Sequence, residues 1–75
     1  MTLADIKPGQ RCVIEALGRD KSLLRKRIID MGLTIGTEVY VRKLAPLGDP
    51  IEINLRGYEL TLRKAEAQEI QVKKL

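Results

Sequence analysis

Between Ile51 and Leu62 the chain admits one strand pairing and rejects its neighbours. Place a two-residue turn at Arg56-Gly57, and Leu55 faces Tyr58, Ile53 faces Leu60 and Ile51 faces Leu62. These apolar pairs share one face, while Glu52 with Thr61 and Asn54 with Glu59 share the other. Side chains alternate along a strand with a period of two, so a one-residue slip would scatter both sets. Glycine at the second turn position supplies the φ > 0 that a tight hairpin connection needs. A chain containing this segment is built on antiparallel strands.

The flanking sequence supplies the rest of the sheet. Thr2 to Ile6 reads as one helical turn capped by Thr2, with Leu3 and Ile6 facing inward. Lys7-Pro8-Gly9-Gln10 is a β-turn signal, and Arg11 to Leu17 is a strand of nearly continuous apolar residues. Such a strand is expected to be covered on both faces, which leaves its phase open. After Gly18 the period changes. Asp20 or Ser22 serves as a helix cap, and Leu24, Ile28 and Met31 recur at i, i+4, i+7, with Arg25, Lys26 and Asp30 off the stripe. Gly32 ends this helix, and Leu33 is placed to close over Ile28 as in a Schellman cap. Ile29 lies about 100° around the helix from Ile28, toward the polar side, and is expected at the surface.

Thr34-Ile35-Gly36-Thr37 turns the chain into a strand over Glu38 to Lys43, with Val39 and Val41 on its core face. The loop from Leu44 to Pro50 is apolar and stiffened by Pro46 and Pro50. Leu44 and Leu47 either tuck inward as a lid or face a partner, and rigidity suits both roles. Arg63 to Gln68 has the length of a single helical turn. Ile70 and Val72 alternate with polar residues in a last strand that pairs at an edge. The architecture expected is mainly β: a small, partly open, five-stranded SH3-like barrel with one α-helix inserted between strands 1 and 2, forming a single domain over residues 1–75.

Composition excludes several function classes. A chain of 75 residues has too little core to enclose a deep active site. The formal net charge of +4 suits an acidic partner, but two Tyr with no Phe or Trp leave little for bases to stack on, so nucleic acid is not expected. Without histidine, and with Ser22 as its one serine, the chain has no Ser-His or Cys-His arrangement; the glycines never cluster into a nucleotide loop. Neither catalysis nor a cofactor is expected. Cys12, the single cysteine, has no disulfide partner and reads as a small buried hydrophobe in a reducing compartment. The opening MTLADIKPGQ lacks an apolar signal region, and no stretch approaches the ~20 apolar residues of a membrane span. A cytoplasmic, soluble protein is expected.

Four segments together carry a family resemblance: LADIKPGQRCVI, RKRIIDMGLTIGTEVYV, APLGDPIEI and RGYELTLRKAEAQEIQV. Over essentially its whole length the chain resembles the bacterial ferrous iron transport protein A family, FeoA. The resemblance implies an SH3-like barrel with an inserted helix. It also implies a cytoplasmic accessory role beside FeoB, the membrane protein that carries a GTPase domain and moves Fe(II), and a likeness to a domain of iron-dependent repressors.

Direct iron binding fits the residues poorly. Fe(II) favours imidazole mixed with carboxylate, and an all-oxygen group from Asp49, Glu52 and Glu59 would be weak and exposed, so no metal site is assigned. Protein–protein contact is the reading that remains. Its expected contact residues are Arg25, Lys26, Ile29 and Met31 of the helix, Leu33 beyond the cap, and Pro46, Leu47, Gly48, Asp49 and Pro50 of the loop. The basic groups would steer encounter and the apolar ones supply buried area. The competing expectations are a weak Fe(II)-binding sensor and a basic regulator that binds nucleic acid. Self-association through a terminal edge strand is a further expectation.

Overall fold

The computed structural model describes residues 1–18 and 23–75, and the side chains of all of these except 23–25. The strands are β1 (Arg11–Leu17), β2 (Glu38–Leu44), β3 (Ile51–Leu55), β4 (Tyr58–Leu62) and β5 (Ile70–Lys74). Helix α1 (Leu23–Asp30) lies between β1 and β2, helix α2 (Lys64–Ala67) lies between β4 and β5, and a 3-10 turn spans Leu3–Asp5. The strands form one antiparallel sheet in the order β4-β3-β2-β1-β5.

The β3–β4 register is the expected one at every pair, from Ile51 opposite Leu62 to Leu55 opposite Tyr58. Arg56 and Gly57 both have positive φ, 48° and 86°, the conformation of a type I′ turn. Ile51, Ile53, Leu55 and Leu62 are buried, but Leu60 is only partly buried and Tyr58 is exposed. The difference follows from position: β4 is an outer strand, so its inward face is covered only in part.

Strand β1 departs from the two-sided burial expected of it. Cys12 and Ile14 point into the core while Arg11 and Glu15 are exposed, so β1 alternates as a one-sided strand does. Cys12 pairs with Val39 of β2, and Ile14 with Val72 of β5. Leu3 and Ile6 also enter the core. Thr2 is the N-cap, as expected, and the Asp5 carboxylate forms the reciprocal half of a capping box by accepting the Thr2 N–H at 2.8 Å.

The helix stop is a complete Schellman motif. The Leu33 N–H donates to the Ile28 carbonyl at 3.2 Å and the Gly32 N–H to the Ile29 carbonyl at 2.9 Å. Gly32 has φ +89°, and Leu33 and Ile28 are both fully buried. The proposed caps Asp20 and Ser22 lie outside the described residues, as does the side chain of Leu24.

The free edges are β4 and β5; β1, the first strand, lies inside the sheet. The N-terminal segment runs along the outer side of β5, where Thr2 bridges Gln71 and the Val72 N–H donates to the Met1 carbonyl. That segment blunts the terminal edge against pairing with a second copy.

Candidate functional site

Helix α1 is tied down through its C-terminal half. Arg27 Nη1 is 3.5 Å from Glu66 Oε2 of α2. One turn later, just past the helix end, the Met31 carbonyl accepts from the Tyr58 hydroxyl at the start of β4. Ile28 is the buried residue of the helix among those described, and Lys26, Arg27, Ile29 and Asp30 are exposed. Ile29 shows 40% of its surface, as its angle to Ile28 predicts.

The loop after β2 closes on itself through two backbone bonds, Ala45 N–H to Pro50 and Gly48 N–H to Ala45. Its Asp49–Pro50 peptide is cis. Leu47 at the tip is 94% exposed, so it is no lid. Asp49 is tied back: its Oδ1 accepts the Lys64 N–H at 2.9 Å and so satisfies an otherwise unbonded donor in the first turn of α2.

A cleft of about 380 Å³ separates helix from loop. Arg27 forms one wall, Asp49 and Pro50 the other, and Thr61 to Arg63 with Glu66 lie between. Glu66 is buried to 4% exposure. Its Oε1 accepts the Arg63 N–H at 2.9 Å, one half of a capping box, but Oε2 has no hydrogen-bond partner among the described residues. Burial of a carboxylate is costly unless it is paired and bonded, and here the Arg27 ion pair compensates the charge while leaving one acceptor unused. Among the described residues, Arg63 has no carboxylate within ion-pair distance.

The expected contact residues divide accordingly. Lys26 and Ile29 are exposed on α1, and Pro46, Leu47, Asp49 and Pro50 are exposed on the loop across the cleft, with Gly48 half-buried. The side chain of Arg25 is outside the described set. Met31 is half-buried, and its carbonyl is engaged by Tyr58. Leu33 is a correction: with no exposed surface it is the apolar plug of the helix cap, not a contact residue. Asp49, Glu52 and Glu59 are not brought together. Glu52 lies 3.9 Å from Lys43, Glu59 pairs with Arg42, and Asp49 bonds the α2 backbone. Sequence reasoning passed over Arg27, Tyr58, Arg63 and Glu66. A glutamate three residues after the cap position Arg63 was the available signal for the last of these.

Cys12 is fully buried, and burial pushes its thiol up to about 11, away from the thiolate that metal binding and nucleophilic chemistry require.

Comparison with known proteins bears on this geometry. The family model described as the FeoA domain matches residues 1–74. An Fe(2+) transport protein A/Fe(2+) transporter FeoB fusion protein of Porphyromonas gingivalis is 33% identical over 72 residues, which is 96% of this chain. The chain spans only 8% of that relative's length. The solution structure of an FeoA-like protein from Clostridium acetobutylicum superposes with a TM-score of 0.94 at 40% identity, covering 100% of this chain and 86% of the other. The zinc-complexed FeoA of Stenotrophomonas maltophilia, described as an SH3 domain protein, has a TM-score of 0.85 at 24% identity over 97% of this chain and 89% of its own. That last likeness shows the fold, which is SH3-like.

Proposed function

The chain belongs to the FeoA family, and on that premise we propose that it is a non-enzymatic, cytoplasmic accessory protein of bacterial ferrous iron uptake. It acts by contact with an FeoB-type membrane transporter and its GTPase domain, using the exposed side of α1 and the loop from Pro46 to Pro50. The observation that carries this reading is the joining of the two proteins into one polypeptide in the Porphyromonas gingivalis relative. A covalent link keeps two modules at high effective concentration, an arrangement suited to partners that work in contact.

The surface has the composition that such contact needs. Exposed Ile29 and Leu47 offer apolar area, while Lys26 adds positive charge that steers an acidic partner during encounter. One bond across its base and one turn bond within it hold the loop, and a Schellman motif closes the helix, so little conformational freedom is lost on docking. Titrating the transporter's cytoplasmic region against the protein tests the proposal. Charge reversal at Arg25 and Lys26 should weaken association by about tenfold, equivalent to ~1.4 kcal/mol, while the thermal unfolding midpoint stays put. Equal affinity for wild type and the reversed variant would remove the helix from the interface.

A further inference from the structure

The cleft between α1 and the loop has unused binding capacity of two kinds. Among the described residues Glu66 Oε2 is a buried acceptor with no hydrogen-bond donor, although Arg27 already balances its charge. The missing element there is a neutral N–H or O–H rather than a second cation. Arg63 on the same cleft is an exposed guanidinium with no carboxylate in reach among the described residues, and the exposed Lys64 beside it is also unpaired there. Asp49, the other acid of the cleft, gives Oδ1 to the Lys64 N–H. The cleft therefore has surplus positive charge at its mouth and an unmet acceptor at its floor. A metal ion would add to that positive charge rather than offset it, and among the described residues no three acidic or cysteine side chains are grouped to hold one.

We propose that this cleft binds an extended peptide segment bearing a carboxylate side chain, with the carboxylate on Arg63 and a main-chain N–H of the segment on Glu66 Oε2. Arg27 keeps its ion pair with Glu66 Oε2, so the buried charge stays balanced while the free lone pair of that oxygen takes the incoming N–H. Arginine at position 63 suits the carboxylate because its planar fork binds it through two parallel hydrogen bonds. The volume of about 380 Å³ accommodates a few residues, which points to a short acidic segment of a larger protein. This assignment rests on the reading of the same face as the transporter-binding face, and it adds the chemistry of the bound element.

The test uses the intact protein with two ligands, followed by backbone amide signals in a titration. The first ligand is the peptide acetyl-Glu-Gly-Glu-Gly-amide; the second is the transporter's cytoplasmic region. The expected result is saturable movement of the Asp49 and Thr61 to Glu66 amides with the peptide. Arg63→Ala and, separately, Glu66→Gln should each weaken it at least tenfold, the second because an amide NH2 replaces the acceptor. Inorganic phosphate at equal ionic strength should leave those signals in place. Peptide-induced shifts spread evenly over all basic residues, or cleft shifts unchanged in Arg63→Ala, would overturn the assignment. If the transporter region binds but the peptide neither competes nor moves the cleft amides, the assignment fails and the transporter reading stands. If the peptide fills the cleft while the transporter region does not bind, the reverse holds.

Discussion

The hydroxyl of Tyr58 donates to the main-chain carbonyl of Met31, fastening the first residue of an outer strand to the end of the neighbouring helix. The helix proposed to present Lys26 and Ile29 to a partner is thus tied by this phenol at its C-terminal end and by the Arg27–Glu66 pair one turn earlier. Tyr58→Phe removes the first tie alone. It should cost about 0.5–1.5 kcal/mol in denaturant unfolding, with faster amide exchange in α1 than in β3. Exchange that rises equally in both elements would mean that the bond supports the whole fold rather than the helix.

Gly32 should couple to the same phenol. A Cβ at Gly32 would lie 2.7 Å from the Tyr58 hydroxyl oxygen, and φ there is +89°. Gly32→Ala is therefore expected to cost more than the ~1 kcal/mol of the left-handed conformation alone. Combining it with Tyr58→Phe should recover part of that loss, because the crowding atom is gone. Strict additivity in the double-mutant cycle would contradict this geometry.

Asp49 is predicted to act through α2. Asp49→Ala should destabilise by about 1 kcal/mol, the usual worth of a lost helix cap, whereas Asp49→Asn, which keeps an acceptor oxygen, should lose less. Leu47→Ser, at a side chain 94% exposed, should leave the unfolding midpoint unchanged and weaken transporter binding. Calorimetry on the three variants separates the structural residue of this loop from the contact residue.

Cys12 gives a stability change with a defined sign. The folded thiol keeps its proton up to about 11, against 9.0 for an ordinary thiol, so between those values unfolding releases a proton. Its contribution is full below pH 9 and is lost as pH rises toward 11, by about 3 kcal/mol at most. Cys12→Ala should flatten the pH 9–11 slope of unfolding free energy relative to wild type, and the native thiol should resist alkylation at pH 8. Rapid alkylation of the folded protein would refute the buried, protonated state.

The sheet was legible in the sequence wherever local patterning sufficed. The hairpin register followed from alternation between Ile51 and Leu62, and the helix stop followed from Gly32 and Leu33. The pattern assigns Leu33 both to the closing of the helix cap and to a partner contact, because the two roles use the same apolar residue; burial alone separates them, in favour of the cap. The cleft was not legible. Asp49 meets Lys64 across 15 residues, and Arg27 meets Glu66 from another element, so neither pairing has a sequence period to reveal it. Tyr58 was read as an inward member of the hairpin, and only its place on an outer strand lets its hydroxyl reach the helix.

The most direct measurement is an amide-resolved titration of the protein with the cytoplasmic region of the FeoB-type transporter. Saturable binding is expected, with shifts concentrated in Lys26 to Met31 and Pro46 to Pro50. Absence of binding, or shifts confined to the outer sheet face around Arg11, Tyr40 and Asn54, would contradict it.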